Sequence, residues 1–547
     1  MKYTNKTVAF ALVLVTLMTL QGCIGQEEAA PTRILRVTFA WPTYIDPAVG
    51  SDFSSSTSIV NLYDSLVYPK PDGTIQPHLA KEWDVSADGL TWTFTLKEGV
   101  KFHDGSELMA EDVAYSMDRL ITIGEGYSYL FAPYIATTTA LDDYTVEIKL
   151  SKPIGPFLIY LIRLYVLNKD LVEEHIVTPG PYGDKGDYGK DWLLTHDAGS
   201  GAYKVKEFRL EEELVIERFE DYWGDIKPNA PDEVHLIGTT EAVTVRTGIS
   251  NRELEISDQW QTEEALGVLD AIEGVDICTW STGGTFYYMM HTKKPPTDDI
   301  HFRKAMAYAV DYEAVVNQVF PGRPLAKGPV SSVLPGFNPD VFQPTRDLAK
   351  AEQELKLSKY YNQLDDYPVE VGWVTEVPDE EKVALLFAAN MAEIGIKVEI
   401  SNIPWLSMVE RTADIETSPN IATIFVAPHY PEAGSILESR YHSKSAATWE
   451  QNEWLLNETI DAMIEDALGT VDTQERYKKY QDIQEVIAEM CPSIFLFENV
   501  AKSAYQSYYV EWPTAKGPEY WNAVMGYNMD YRNIEVDMAK REELLGA

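Results

Sequence analysis

Residues 79–118 read LAKEWDVSADGLTWTFTLKEGVKFHDGSELMAEDVAYSMD, and the succession of patterns in this stretch decides what fold to expect. Asp88-Gly89 and Asp104-Gly105 are tight-turn dipeptides, because glycine accepts the positive φ that a hairpin turn requires. Between them Thr91–Leu96 alternates strictly, placing Trp92, Phe94 and Leu96 on one face of a strand and three threonines on the other. After Glu111 the period changes. Val113, Met117 and Leu120 recur at i, i+4 and i+7, the apolar stripe of a helix facing a sheet. Calcium loops also use Asp-Gly, but the EF-hand ligand spacing and its closing glutamate are absent here, so these dipeptides are turns.

Outward from this block, Asp72-Gly73 repeats the turn signal upstream, and a first strand is predicted at Ile34–Phe39. Residues 70–150 therefore read as rich in antiparallel strands. Downstream the pattern becomes helical. Phe302, Met306, Ala309 and Val310 form one stripe, and Asp311 caps a second helix carrying Val315, Val316 and Val319. Val383, Phe387, Met391 and Ile394 mark a long helix running into a strand at Ile396–Ile400. Tyr480, Ile483, Ile487 and Met490 mark another, leading into a strand at Ser493–Phe497. Helix-then-strand alternation through residues 300–500 predicts an α/β lobe.

At 547 residues the chain exceeds what one hydrophobic core supports, so two or three lobes are expected. Its 86 acidic and 45 basic residues give a net charge of -41, which repels phosphate backbones and argues against nucleic acid as a partner. The three cysteines form no CxxC, which excludes zinc ribbons and thioredoxin-type motifs. Cys278 and Cys491 read as buried thiols, with a disulfide between them left open.

The N-terminus reads as an address. Lys2 and Lys6 precede an uncharged apolar run, Val8–Leu20, that is short of the roughly 20 residues a membrane span needs. Leu20-Gln21-Gly22-Cys23 resembles the lipobox of bacterial and archaeal lipoproteins, which implies a signal peptide over residues 1–22, lipidation at Cys23 and a tether over 23–33. A plain cleaved signal peptide is the alternative.

Catalytic signatures are missing. No GxSxG elbow, HExxH or Walker loop occurs, and the nine histidines are scattered. Gly199-Ser200-Gly201 and Gly283-Gly284 read as glycine turns rather than phosphate loops. The chain is not expected to be an enzyme or to carry a cofactor.

Four blocks in order resemble the family 5 extracellular solute-binding proteins, the dipeptide/oligopeptide-binding type. They are residues 79–118, with the DG and KFHDG turns and the AEDV helix start; GSGAYKVKEF and ERFEDYWG within 198–224; HFRKAMAYAVDYEAVVNQVF within 291–328; and AEIGIKVEI at 392–400. The resemblance covers about residues 34–510. It implies an α/β, class II periplasmic-binding-protein fold with two hinged lobes and an inserted domain. Lobe I would be 34–66, 197–286 and 500–547, the inserted domain 67–196, and lobe II 287–499. It also implies a monomer, exported to the outer face of the cytoplasmic membrane or the periplasm. There it would deliver a small-molecule ligand, peptide or oligosaccharide, to an ABC permease.

In this family an acidic residue of lobe II pairs with the peptide ammonium. The matching segment, Ala427–Ala433, places His429 there, and an imidazole cannot replace a carboxylate. Tyr430 and Glu432 lie beside it, and Glu432 is the substitute if the backbone shifts. By the same resemblance Trp405 and Phe53 line the pocket, Tyr127 and Tyr129 approach it from the inserted domain, and Trp373 adds an aromatic platform. Oligopeptide, oligosaccharide and nickel chelate are the competing ligand classes. A secreted hydrolase, or a sensor in place of a transporter component, are the rival roles.

Overall fold

The computed structural model describes residues 32–39 and 44–546. The expected leader, the Cys23 lipobox and most of the tether lie outside the described residues. β1 (Ile34–Phe39) is the predicted first strand. α1 (Phe53–Leu62) begins at Asp52, whose carboxylate accepts the Ser55 N–H at 2.8 Å. Serines and threonines dominate its sequence and are weak helix formers, so tertiary contacts hold it. Asn61 donates to the Met529 carbonyl and accepts from the Tyr531 N–H, each at 2.9 Å.

Hairpins follow: β2 (Val67–Pro69) with β3 (Ile75–Pro77), then β4 (Ala80–Val85) with β5 (Thr91–Leu96). Gly73, Gly89 and Gly105 take φ of 80°, 71° and 91°. Asp72, Asp88 and Asp104 each accept the N–H two residues on, at 2.9, 3.1 and 2.9 Å. Each Asp-Gly thus closes its own turn through its side chain, as the sequence predicts. Phe94 and Leu96 are fully buried, with Trp92 half-buried beside them. α2 (Ala110–Ile123) buries Val113, Met117 and Leu120, and Asp112 reaches back to the Met109 N–H at 2.8 Å. β6 (Ile135–Asp142) and β7 (Thr145–Leu150) complete an antiparallel sheet of order β4-β5-β7-β6.

β8 (Tyr203–Arg209), β9 (Glu213–Arg218) and β10 (Glu233–Gly238) form a second sheet that β1 joins in parallel, in the order β1-β10-β9-β8. The third sheet is the largest. It takes β11 (Asp276–Met290), β12 (Val369–Val374), β13 (Val398–Ile403), β14 (Ile421–Val426) and β15 (Ser493–Tyr505) in the order β13-β12-β14-β11-β15. β12 runs parallel to both β13 and β14. Helices α3 (Ile300–Ala309), α4 (Pro378–Ala392), α5 (Trp405–Thr412), α6 (Ala433–Tyr441) and α7 (Thr473–Met490) lie in the connections between these strands.

Three predicted elements differ in detail. Asp311 caps its helix through the Ala314 N–H at 3.0 Å, but only Tyr312–Ala314 is α-helical. Val315–Val319 widens into a π-turn closed by Phe320 N–H to Val315 O at 2.8 Å. The strand expected at Ile396 starts at Val398, because Ile396 still bonds back to Met391 across Gly395 at φ 77°. β15 runs on past Phe497 to Tyr505, because Val500–Tyr505 pairs with Asp276–Ser281 of β11. Cys278 and Cys491 are both buried free thiols.

β11 and β15 have a further property. The first half of β11 pairs with β15 alone, whereas Thr285–Met289 pairs with both β14 and β15. Register breaks between Ser281 and Thr285, where Gly283 has φ 72°. The Gly283-Gly284 dipeptide is therefore a bulge inside a strand, not a terminal turn.

Candidate functional site

A cleft enclosing about 780 Å³, counted out to its mouth, opens where these elements meet. One wall is the start of α1, Asp52 to Ser54, with Gln259, Trp260 and Met525. The other takes Val374 from the end of β12, Ile424–Val426 from the end of β14 with Ala427 beyond it, and Asn499 from the middle of β15. Glu376, Glu380 at the start of α4, Trp405 at the start of α5, and Trp449 complete it. Carboxyl ends of parallel strands are where open α/β sheets place their ligands, because the backbone there is free of further pairing.

Five aromatic rings line the walls. Phe53 packs edge-on to Trp260 at 6.4 Å, Trp260 lies 5.2 Å from Phe425, and Trp405 meets Trp449 edge-on at 5.2 Å. All five rings are partly exposed, as a ligand-facing ring must be. Two carboxylates are held among them. Glu376 accepts the Trp405 N–H at 3.0 Å, at the N-terminus of α5. Glu380 is fully buried, and its Oε2 accepts from the Val374 N–H at 2.8 Å and the Thr423 hydroxyl at 3.1 Å. Burial raises both carboxyls above the usual range, and for Glu380 the neighbouring Glu376 adds to the rise.

Of the residues singled out from sequence, Phe53 and Trp405 line this cleft. Trp373 does not. It packs in the apolar core with Val371 and Phe387, because strand alternation gives the cleft face to Val374. His429, Tyr127 and Tyr129 form a separate buried knot. Tyr129 hydroxyl bonds His429 Nδ1, Tyr127 sits edge-on to the imidazole at 5.1 Å, and Arg163 lies over Tyr127 and donates to the His429 carbonyl at 2.8 Å. Burial, and secondarily Arg163, push the imidazole down to about 3, so His429 is neutral. Tyr430 is likewise fully buried, against Tyr160 and Glu438.

Glu432 cannot serve as the substitute ammonium ligand. Its carboxylate is 2% exposed and fully engaged by Arg476, at 2.8 and 3.1 Å. Among the described residues no group of three His, Cys, Asp or Glu side chains is placed to hold a metal ion. The residues that sequence reasoning missed are Glu376, Glu380, Trp260, Phe425 and Trp449. Glu380 looked like any first-turn helix acid, and 86 acidic residues hide a particular pair.

The buried Tyr160–Tyr430–Glu438 cluster carries its own pH dependence. Glu438 accepts from the Tyr160 hydroxyl at 2.9 Å, and burial pushes it up to about 7. The folded chain keeps a proton there that the unfolded chain has lost above its ordinary carboxyl pKa. Stability therefore falls as pH climbs from about 4.5 through 7, by up to about 3 kcal/mol for this group. Glu438→Gln should leave urea stability near wild type at pH 4.5 and raise it at pH 8.5. An equal change at both pH values would refute the assignment.

Comparison with known proteins fits this architecture. A solved periplasmic binding protein from Helicobacter pylori, DppA in complex with the peptide STSA, superposes with a TM-score of 0.81. The alignment is 22% identical and covers 92% of this chain and 98% of that one, so the two share a periplasmic-binding-protein fold. Residues 74–447 match the family described as bacterial extracellular solute-binding proteins, family 5 middle, and the chain belongs to that family. Relatives include a dipeptide-binding protein of Escherichia coli K12, 26% identical over 494 residues, 82% of this chain and 88% of that protein. Another is heme-binding protein A of Haemophilus influenzae, 24% identical over 537 residues, covering 91% of each chain. These relatives are binding proteins, not enzymes.

Proposed function

We propose that the chain captures an oligopeptide-like solute outside the cell and presents it to an ABC importer, held to the membrane through Cys23. The observation that carries this reading is the aromatic cleft at the ends of β12 and β14, in a chain of this family whose relatives include dipeptide-binding proteins. Lobe I would comprise 34–66, 197–286 and 500–547, the inserted domain 67–196 and lobe II 287–499. β11 and β15 would then run from one lobe to the other, and the bulge at Thr282–Gly284 would be the hinge. Closure is favoured by contacts that a ligand makes with both walls at once, and no bond in the ligand changes.

Oligosaccharide remains the second reading, favoured by the three tryptophans in the cleft, whose flat faces suit pyranose rings. A thermal-shift screen of the full chain in mild detergent separates the two. The panel is tri- to hexapeptides, cello-, malto- and xylo-oligosaccharides, and Ni²⁺ with chelators. A ligand at 100 times its Kd adds about 2.7 kcal/mol, a readable shift. Shifts with peptides are expected. Shifts with sugars alone would replace peptide by oligosaccharide, and no shift at all would overturn the binding reading.

A further inference from the structure

One contact area joins parts of the molecule that the lobe reading puts on opposite sides of the hinge. The inserted segment is tied to residues of lobe I. Arg119 grips Asp46 with two hydrogen bonds of 2.7 Å, the Tyr127 and Ser56 hydroxyls bond at 2.7 Å, and Tyr527 donates to the Ile162 carbonyl at 3.0 Å. The same segment also reaches lobe II. Tyr129 bonds His429, and Arg163 donates to the His429 carbonyl at 2.8 Å. The Gly155 N–H donates to the Leu468 carbonyl at 2.8 Å, and the Tyr160 hydroxyl donates to Glu438 of α6 at 2.9 Å. An inserted domain that moves with lobe I can keep these last four bonds only while the lobes are closed.

Of the four, one ends on an acid. Glu438 is 6% exposed, and its Oε2 accepts from two phenols, Tyr160 and, at 3.4 Å, Tyr430. The groups packed around it supply no counter-charge. Tyr129, Tyr134 and Tyr160 face it from the inserted segment, Tyr430 and Tyr480 from lobe II, and burial keeps all five phenols protonated. The two lysines that bear on it are engaged elsewhere: Lys444 with Glu465 at 2.6 Å, and Lys152 over the Tyr134 ring at 4.9 Å. His429 is neutral and faces Glu450, a second buried acid, at 3.5 Å. A carboxyl in such surroundings is costly to ionise and sits comfortably as the protonated acid.

We propose that Glu438 is a proton latch on lobe closure: the closed form carries a proton there, and opening withdraws Tyr160, admits water and releases it. This rests on the lobe reading above. Burial holds Glu438 up to about 7 in the closed form, whereas a hydrated glutamic acid titrates at about 4.3. A group raised in the closed form favours closure fully below the open value, and that contribution is lost as pH rises through 7. Solute is therefore held more firmly in acid and let go toward alkaline pH, with no change in the contacts it makes itself.

The test needs no ligand. Nitroxide labels at Leu141→Cys in the inserted domain and Leu456→Cys in lobe II, both exposed positions, report the separation of the two by double electron–electron resonance on the full chain in mild detergent. Cys278 and Cys491 are buried and stay unlabelled. The ratio of short to long separations should rise about tenfold or more from pH 8.5 to pH 5. Glu438→Gln, neutral throughout, should lose most of that rise. Tyr160→Phe, which removes the donor and keeps the acid, should lower the ratio at pH 5 about threefold or more. Two separations in a ratio that ignores pH would overturn the latch and leave the hinge standing, as would a Glu438→Gln chain that still follows the wild-type response. One unchanging separation in all three chains at both pH values would overturn the lobe reading and the latch together.

Discussion

Replacing Arg476 with methionine is expected to destabilise the protein by about 3–5 kcal/mol, the loss that follows when one partner of a buried ion pair is removed. Arg476 grips Glu432 with two hydrogen bonds of 2.8 and 3.1 Å and spends its remaining donors on the carbonyls of Thr470 and Val471, at 3.0 and 3.1 Å. Tyr477 and Tyr480 add hydroxyl contacts to the same carboxylate at 3.4 Å. With the guanidinium gone, Glu432 stays buried and holds a charge that only two phenols address. Urea denaturation reads the loss directly. The double variant Arg476→Met with Glu432→Met should recover most of the loss, because two well-packed apolar side chains replace the pair at little net cost. A double variant as unstable as the single one would show that the guanidinium acts through packing alone.

Gly284→Ala should be comparably damaging for a different reason. A Cβ at that position would lie 1.8 Å from the Val426 carbonyl oxygen, and a backbone atom cannot swing aside. Overpacking usually costs about 1–3 kcal/mol, and the upper end or more is expected here because β14 must give way. The displaced residues, Ile424–Val426, are cleft wall, so ligand affinity should fall along with stability. Gly267→Ala is the control. It lies in the helix Glu263–Asp270 with nothing within 4 Å of the added carbon, and should be neutral or stabilising by up to about 1 kcal/mol. Similar melting curves for the two variants would show that β11 and β14 can part without penalty.

Much of the architecture was legible in the chain. The Asp-Gly turns, the alternating Thr91–Leu96 strand and the Val113 stripe are local signals, set by φ preferences and periodicity, and each is found where it was read. Element ends were less legible. The π-turn at Val315 and the late start of β13 depend on how a helix exits against its neighbours, which periodicity does not encode. The site was the least legible. Phe53 and Trp405, expected by resemblance, line the candidate cleft, but His429 and Glu432 are tied up by Tyr129 and Arg476, partners 300 and 44 residues away. Glu380 Oε1 has no hydrogen-bond partner among the described residues, and no sequence pattern reports an unmet hydrogen bond.

The threading of the second sheet also fixes an order of events. Ile34 in β1 finds its partner at Glu233, and Asn61 of α1, which also donates to the Thr57 carbonyl, bonds Met529 and Tyr531 near the other end of the chain. A polypeptide that emerges amino end first must keep its opening segment waiting until its last residues arrive. Closing loops that long slows assembly and prolongs exposure of unpaired strands. The same wiring makes completeness a condition of folding: a chain cut short before Met529 strips the buried Asn61 amide of its two distant partners, and it is the beginning of the molecule that is loosened.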